Sequence, residues 1–148
     1  MMNLKNNMSE IFVAQTDSQI RACFPVVVQL RPSYSEDSFL AQVKKQLAMN
    51  YHLVYMQYDE TVCAVAGYRY MENLAWGKFM YVDDLITDYQ QRSKGYGKIL
   101  LDWLIEEAKK GRCEQLHLDS GVQRTDAHRF YKREGLNYTS QHYALDLI

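Results

Sequence analysis

Apolar residues recur at two spacings along the chain, and each change of spacing marks a change of element. Ile11 to Gln15 reads as a short first strand. Ile20, Cys23, Phe24 and Val27 then fall three and four residues apart, the stripe of a helix packed on a core, with Asp17 placed to cap it. Arg31-Pro32-Ser33 interrupts the stripe, because Pro32 disfavours a helical Arg31. A second helix, opened by Ser35 or Asp37, carries Phe39, Leu40, Val43 and Leu47 on one face. The period then shortens to two. Tyr51 to Gln57, Thr61 to Tyr70 and Lys78 to Thr87 read as three strands, with Asp59-Glu60 as a hairpin turn and 72–77 as the second connection. Connections that short predict an antiparallel meander. Gly95 to Lys110 follows as an amphipathic helix with Ile99, Leu100, Trp103, Leu104 and Ala108 inward, and Gly111 stands where a left-handed residue ends a helix. Leu116 and Leu118 mark a short buried strand. Thr125 or Asp126 caps a last helix through Glu134, stopped by Gly135, and Leu136 to Thr139 and Gln141 to Leu147 read as final strands. A meander followed by strand-helix-strand predicts an α/β (α+β) fold with a mixed sheet. No repeat or linker interrupts it, so a single domain over 1–148 is expected, with the polar residues 1–9 frayed.

Composition narrows the class. The chain has 148 residues, the size of one domain, and 47% hydrophobic residues argue against extended disorder. A net charge of -1 argues against a nucleic-acid partner. Cys23, Cys63 and Cys113 are odd in number, far apart and without a CxxC pair, which predicts reduced thiols rather than disulfides or a zinc site. His52, His117, His128 and His142 lack metal-ligand spacing, so no metal is expected. Neither a signal peptide nor a membrane-length apolar run is present, and a cytoplasmic protein without a membrane partner is the expectation.

Chemistry concentrates where the third strand gives way to the amphipathic helix. Asp83-Asp84-Leu85-Ile86-Thr87 ends the strand, and Arg92-Ser93-Lys94-Gly95-Tyr96-Gly97-Lys98 leads into the helix. Amides at a helix start have no intrahelical partner and sit at the positive end of the helix dipole, so they bind anions. Gly95 and Gly97 let a phosphate approach the backbone, and Arg92, Lys94 and Lys98 add positive charge. A glycine-softened turn with solvated lysines is the plain alternative, disfavoured by the strand before the turn, the helix after it and the flanking cations. A Walker loop is excluded because Ile99 follows Lys98, and a dinucleotide fingerprint because Leu100 stands where a third glycine is required.

Arg92-x-x-Gly95-x-Gly97 resembles the pyrophosphate-binding motif of the GNAT acetyltransferases. The resemblance implies the GNAT fold, a mostly antiparallel central sheet flanked by four helices, and acetyl-CoA as co-substrate. It implies that the amides of residues 92–98 hold the coenzyme A diphosphate and that the backbone of Leu85, Ile86 and Thr87 pairs with the pantetheine arm. Ala127-His128-Arg129-Phe130-Tyr131, running to Gly135-Leu136, resembles the family's second signature, and the stretch from Arg124 to Gly135 is most similar to aminoalkylphosphonate N-acetyltransferases. Tyr131 takes the position of the tyrosine that lies near the coenzyme sulfur as general acid. Arg124 stands where many relatives carry Asn, and His128 precedes Tyr131 on the same helix face.

Acetyl transfer to an amine needs a proton acceptor, a polarised thioester and a stabilised thiolate, but no covalent enzyme intermediate. A phenol with its pKa near 10 suits protonation of a thiolate. Asp83 and Asp84 are the candidate bases. Adjacent on a strand, they are expected on opposite faces, one of them functional and the other free to anchor a loop. Asp119 and Ser120 either face the acceptor or cap the turn into the last helix. Tyr34, Tyr68, Tyr70, Tyr81 and Tyr143 divide between sheet packing and an acceptor cleft expected from 34–47 and the 68–78 connection. The function expected is transfer of acetyl from acetyl-CoA to the primary amine of a small molecule or peptide, in a chain free to form a homodimer. A non-catalytic acetyl-CoA sensor is the alternative; it would need the glycine turn but neither Tyr131 nor the acidic pair.

Overall fold

The computed structural model describes residues 9–148, in two compact units, one through His117 and one from Leu118 to Ile148. Of the stretch expected to fray, only Ser9 lies inside the described residues, and it begins a strand.

The first unit is built on β1 (Ser9–Val13), β2 (Tyr51–Tyr58), β3 (Thr61–Asn73), β4 (Gly77–Thr87) and β5 (Gln115–Leu118), which lie side by side in that order in a mixed sheet. β1 to β4 pair antiparallel, and the meander of β2, β3 and β4 follows from their short connections. Asp59 and Glu60 both adopt left-handed conformations (φ 51° and 65°), the geometry that lets a two-residue turn follow the twist of its strands. Helices α1 (Asp17–Val27) and α2 (Glu36–Leu47) pack on one face, where Ile20, Cys23, Phe39 and Val43 meet Tyr51, Leu53, Val65 and Ile86. α3 (Tyr96–Lys110) takes the other face, where Trp103 meets the Tyr68 ring edge-on at 6.2 Å.

Several expectations need correction. Thr16, not Asp17, caps α1: its hydroxyl accepts the Gln19 N–H at 3.2 Å while the Gln19 side chain accepts the Thr16 N–H at 3.1 Å. A reciprocal box needs a side-chain acceptor at the third helical position, and Gln19 supplies it. Ser35 caps α2 in the same way through Ser38. In α3 the fully buried positions are Leu100, Leu101, Leu104 and Ala108, and Ile99 remains 39% exposed. Gly111 has an ordinary φ of -76°, and the left-handed residue is Arg112 at 60°. Gly111 is needed for room instead, since a Cβ there would lie 2.9 Å from the Tyr70 ring.

The second unit contains α4 (Thr125–Arg133), whose N-cap is Arg124 rather than Thr125 or Asp126, and Gly135 at φ 93° turns the chain out of it. No strand is assigned over 136–148. Alternating residues become a strand only where a neighbour takes up the backbone hydrogen bonds, and the pattern alone supplies no neighbour.

Candidate active site

One irregularity in β4 organises the site. Gly67 pairs with Asp84, but Tyr68 pairs with Val82, so Asp83 is an extra residue in the ladder. A bulge of this kind shifts the phase of side chains along the strand. Tyr81 and Asp83 share a face before the shift, and Asp84 and Ile86 share that same face after it. The expectation that Asp83 and Asp84 point to opposite faces is therefore wrong: both line one cavity.

The cavity holds about 330 Å³ between α2 and the sheet, with Val27, Phe39, Val43 and Leu53 forming its apolar walls and Arg31, Tyr34, Gln42, Gln46, Tyr51, Arg69 and Tyr81 completing the lining with the two aspartates. The two carboxylates are held differently. Asp84 accepts from Arg31 on Oδ1 at 2.8 Å and from the Tyr51 hydroxyl on Oδ2 at 3.0 Å. Asp83 accepts from Nε and Nη2 of Arg69 on Oδ1 alone, at 3.0 and 2.9 Å, and among the described residues no donor is recorded on its Oδ2. Burial pushes the Asp83 carboxyl above its ordinary value, against the opposing pull of Arg69. Tyr51 is 5% exposed, and burial first, then the neighbouring Asp84, raises its phenol well above the ordinary value, so it remains a proton donor to that carboxylate. Gly67 makes this placement possible: a Cβ there would overlap the Tyr51 hydroxyl and ring.

Sequence reasoning missed Arg31, Tyr51 and Arg69. Arg31 was legible only as the residue before Pro32. Arg69 carried a signal, since a charge in the otherwise apolar β3 needs a partner. Gly67 carried another, because a glycine inside a strand marks a bulge or a close approach. Of the tyrosines considered, Tyr34 and Tyr81 line the cavity, whereas Tyr68 and Tyr70 pack toward α3 and Tyr143 lies in the second unit.

Leu85, Ile86 and Thr87 run from the bulge to the end of β4, paired on one edge with Ala66, Val65 and Ala64 of β3. β5 begins beside the other end of β4, where the Glu114 N–H donates to the Lys78 carbonyl at 2.7 Å. Its four residues span about 13 Å at strand rise, too short to reach Leu85. A single 3-10 turn (Tyr89–Gln91) then leads to Arg92 and to Ser93, left-handed at φ 66°. Gly95 is the N-cap of α3 at φ 81°, gives no side-chain hydrogen bond to the helix start, and has nothing within 4 Å of where its Cβ would stand. No acidic residue occupies the first turn, Tyr96 and Gly97 begin it half-buried, and Lys98 pairs with Asp102 at 3.1 Å. Lys94 reaches the Gln91 side chain at 2.9 Å, and Arg92 is exposed. Open amides, a positive dipole end and nearby cations fit a diphosphate.

In the second unit, His128 is fixed by a 2.8 Å contact from its Nε2 to the Gly121 carbonyl. Burial raises the Tyr131 phenol above its ordinary value, with Arg124 pulling the other way. Asp119 lies 3.6 Å from His142, and the Ser120 hydroxyl is buried with no hydrogen-bond partner among the described residues. Neither residue caps α4. Cys23 is fully buried and its thiol is pushed up to about 12, so it offers no thiolate near neutral pH. Among the described residues no cluster of three His, Cys, Asp or Glu side chains is placed to hold a metal, and no helix is long and apolar enough to cross a membrane.

A bulged central strand, a cavity that holds two carboxylates and a cation-flanked helix start suit an acyl-CoA-dependent acetyltransferase. The acetyltransferase (GNAT) family model matches residues 13–136. The chain is 31% identical over 121 residues to the uncharacterized N-acetyltransferase YhdJ of Bacillus subtilis (strain 168), a match covering 81% of this chain and 84% of that one. A shorter match, 37% over 62 residues, relates it to the aminoalkylphosphonate N-acetyltransferase of Salmonella typhimurium (strain LT2), covering 42% of this chain and 39% of the relative. An aminoglycoside N-acetyltransferase solved in complex with CoA shares the fold, with a TM-score of 0.85 at 13% identity over 98% of each chain. The chain belongs to the acetyltransferase (GNAT) family. It is an N-acetyltransferase that takes its acetyl group from acetyl-CoA.

Proposed function

We propose that the chain, acting as one catalytic domain, acetylates the primary amine of a small molecule held in the cavity between α2 and the sheet, with Asp83 as base and Tyr131 as acid. The observation that carries this reading is the β4 bulge, which turns two adjacent carboxylates into one cavity and leaves only one of them with an unengaged oxygen. The cavity volume lies at the low end for ligand sites, which favours a small acceptor over a peptide.

The two aspartates divide the work. Asp84, fixed by Arg31 and Tyr51, shapes the cavity wall. Asp83 keeps Oδ2 available and has its proton affinity raised by burial, so it takes the proton that leaves the amine as the N–C bond forms. The edge of Leu85 to Thr87 that β5 does not reach suits backbone pairing with an extended pantetheine arm, and the amides around Gly95, with Arg92 and Lys94 nearby, suit the diphosphate. A raised pKa keeps the Tyr131 phenol protonated at neutral pH, the state required to give a proton to the thiolate as the C–S bond breaks. Arg124 and His128 precede that tyrosine by seven and three residues, and the family match at 13–136 takes in residues of both units.

The test is a pair of variants. Asp83→Asn should reduce turnover by about 10²–10⁴-fold, the range for loss of a general base, while acetyl-CoA affinity measured by calorimetry stays unchanged. Asp84→Asn should lower turnover less and act chiefly through acceptor affinity. Two fully active Asn variants would leave solvent as the proton sink and end the assignment.

A further inference from the structure

Resting on the acetyltransferase reading of this cavity, we infer that its acceptor is a small zwitterion, an amine whose chain also carries an anionic group. The cavity wall bears two guanidiniums and two carboxylates, paired as Arg31 with Asp84 at 2.8 Å and Arg69 with Asp83 at 2.9 Å. The net charge of this set is zero, with one guanidinium to each carboxylate, so an acceptor in the cavity meets groups of both signs. A polycationic acceptor would bring its second ammonium against a guanidinium, and like charges so placed cost several kcal/mol. A purely hydrophobic amine would leave the guanidinium edges unmatched.

The donor inventory makes the same point. Arginine has five N–H donors and no acceptor. Arg31 spends Nε and Nη2 on Asp84 and on the Asp83 carbonyl, and Arg69 spends Nε and Nη2 on Asp83. Nη1 of each has no recorded partner among the described residues, and the two side chains remain 46% and 38% exposed. The Arg69 guanidinium lies over the Tyr81 ring, 5.6 Å from its centroid. A carboxylate or phosphonate accepting from these edges gains charge-assisted hydrogen bonds, and it sets the amine at the other end of a short chain beside Asp83.

Matched acceptors decide the question. Thiol release from acetyl-CoA is measured with β-alanine, aminoethylphosphonate, propylamine and diaminopropane, which share an aminoalkyl head and end in an anion, an anion, a methyl and a cation. At least one of the two zwitterions should exceed propylamine in kcat/KM by tenfold or more, with diaminopropane poorest. Propylamine or diaminopropane matching both zwitterions overturns the inference, as does turnover of neither zwitterion by protein that still binds acetyl-CoA in calorimetry. Loss of acetyl-CoA binding itself would instead bring down the acetyltransferase reading. In Arg31→Gln and Arg69→Gln the ratio of kcat/KM for the better zwitterion to that for propylamine should fall toward one. That ratio cancels any loss shared by both acceptors through a displaced aspartate, so an unchanged ratio in both variants also overturns the inference.

Discussion

Asp83 and Asp84 are neighbours in sequence with the same side chain, yet their surroundings give them different chemistry. Asp84 has both oxygens engaged, and Asp83 has one. Tyr131 is the proposed acid. Tyr131→Phe removes one oxygen and should barely change folding, but turnover should fall by about 10²–10⁴-fold if the phenol protonates the thiolate. The acceptor KM should move little, because the lost interaction belongs to the transition state. A folded Tyr131→Phe enzyme within a few-fold of the parent, measured where chemistry limits the rate, would make Tyr131 a packing residue. Gly95 stands in the turn proposed for the coenzyme. Its φ of 81° disfavours a β-branched residue and its Cβ direction is open, so Gly95→Val should change both the turn and the space a phosphate needs. Calorimetry should show acetyl-CoA affinity reduced at least tenfold, and unchanged affinity would remove the diphosphate from this turn. The glycine turn was legible in the sequence because it is local. Tyr51, Arg31 and Arg69 were not, because their roles depend on residues 14 to 53 positions away.

At the scale of elements, hydrophobic period located β2, β4, α2 and α3 nearly to the residue, ended β3 three residues early, and failed where a single residue changes the phase. Lys78 to Thr87 reads as one continuous strand, so nothing in it reveals that Asp83 is extra in the ladder. Gly67, opposite the bulge, was the available clue. Gly67→Ala should displace Tyr51 from Asp84 and cost about 1–3 kcal/mol, the usual price of overpacking a filled core. Urea denaturation should register the loss, and acceptor KM should rise with it. Stability equal to the parent would mean that Tyr51 has room to move. The segment 136–148 shows the converse failure, a strand-like pattern without an assigned strand, since pairing depends on a partner that the segment does not encode.

At the scale of the molecule, function rests on two surfaces built from one strand. The bulge in β4 aims its carboxylates at the acceptor cavity, and the end of the same strand leads into the turn that opens α3. In the proposed reaction a proton leaving the acceptor goes to Asp83, two residues before Leu85. The pH dependence of acetyl transfer tests this most directly. Because burial raises the Asp83 carboxyl above its ordinary value and a base must be ionised to act, activity should rise with pH through that raised value and level off above it. Initial rates of thiol release with acetyl-CoA and a saturating amine, compared for the parent and Asp83→Asn from acid to neutral pH, should show an acidic limb in the parent. In the variant that limb should be absent and the plateau about 10²–10⁴-fold lower. A variant that keeps both the parent's limb and its plateau would contradict the account.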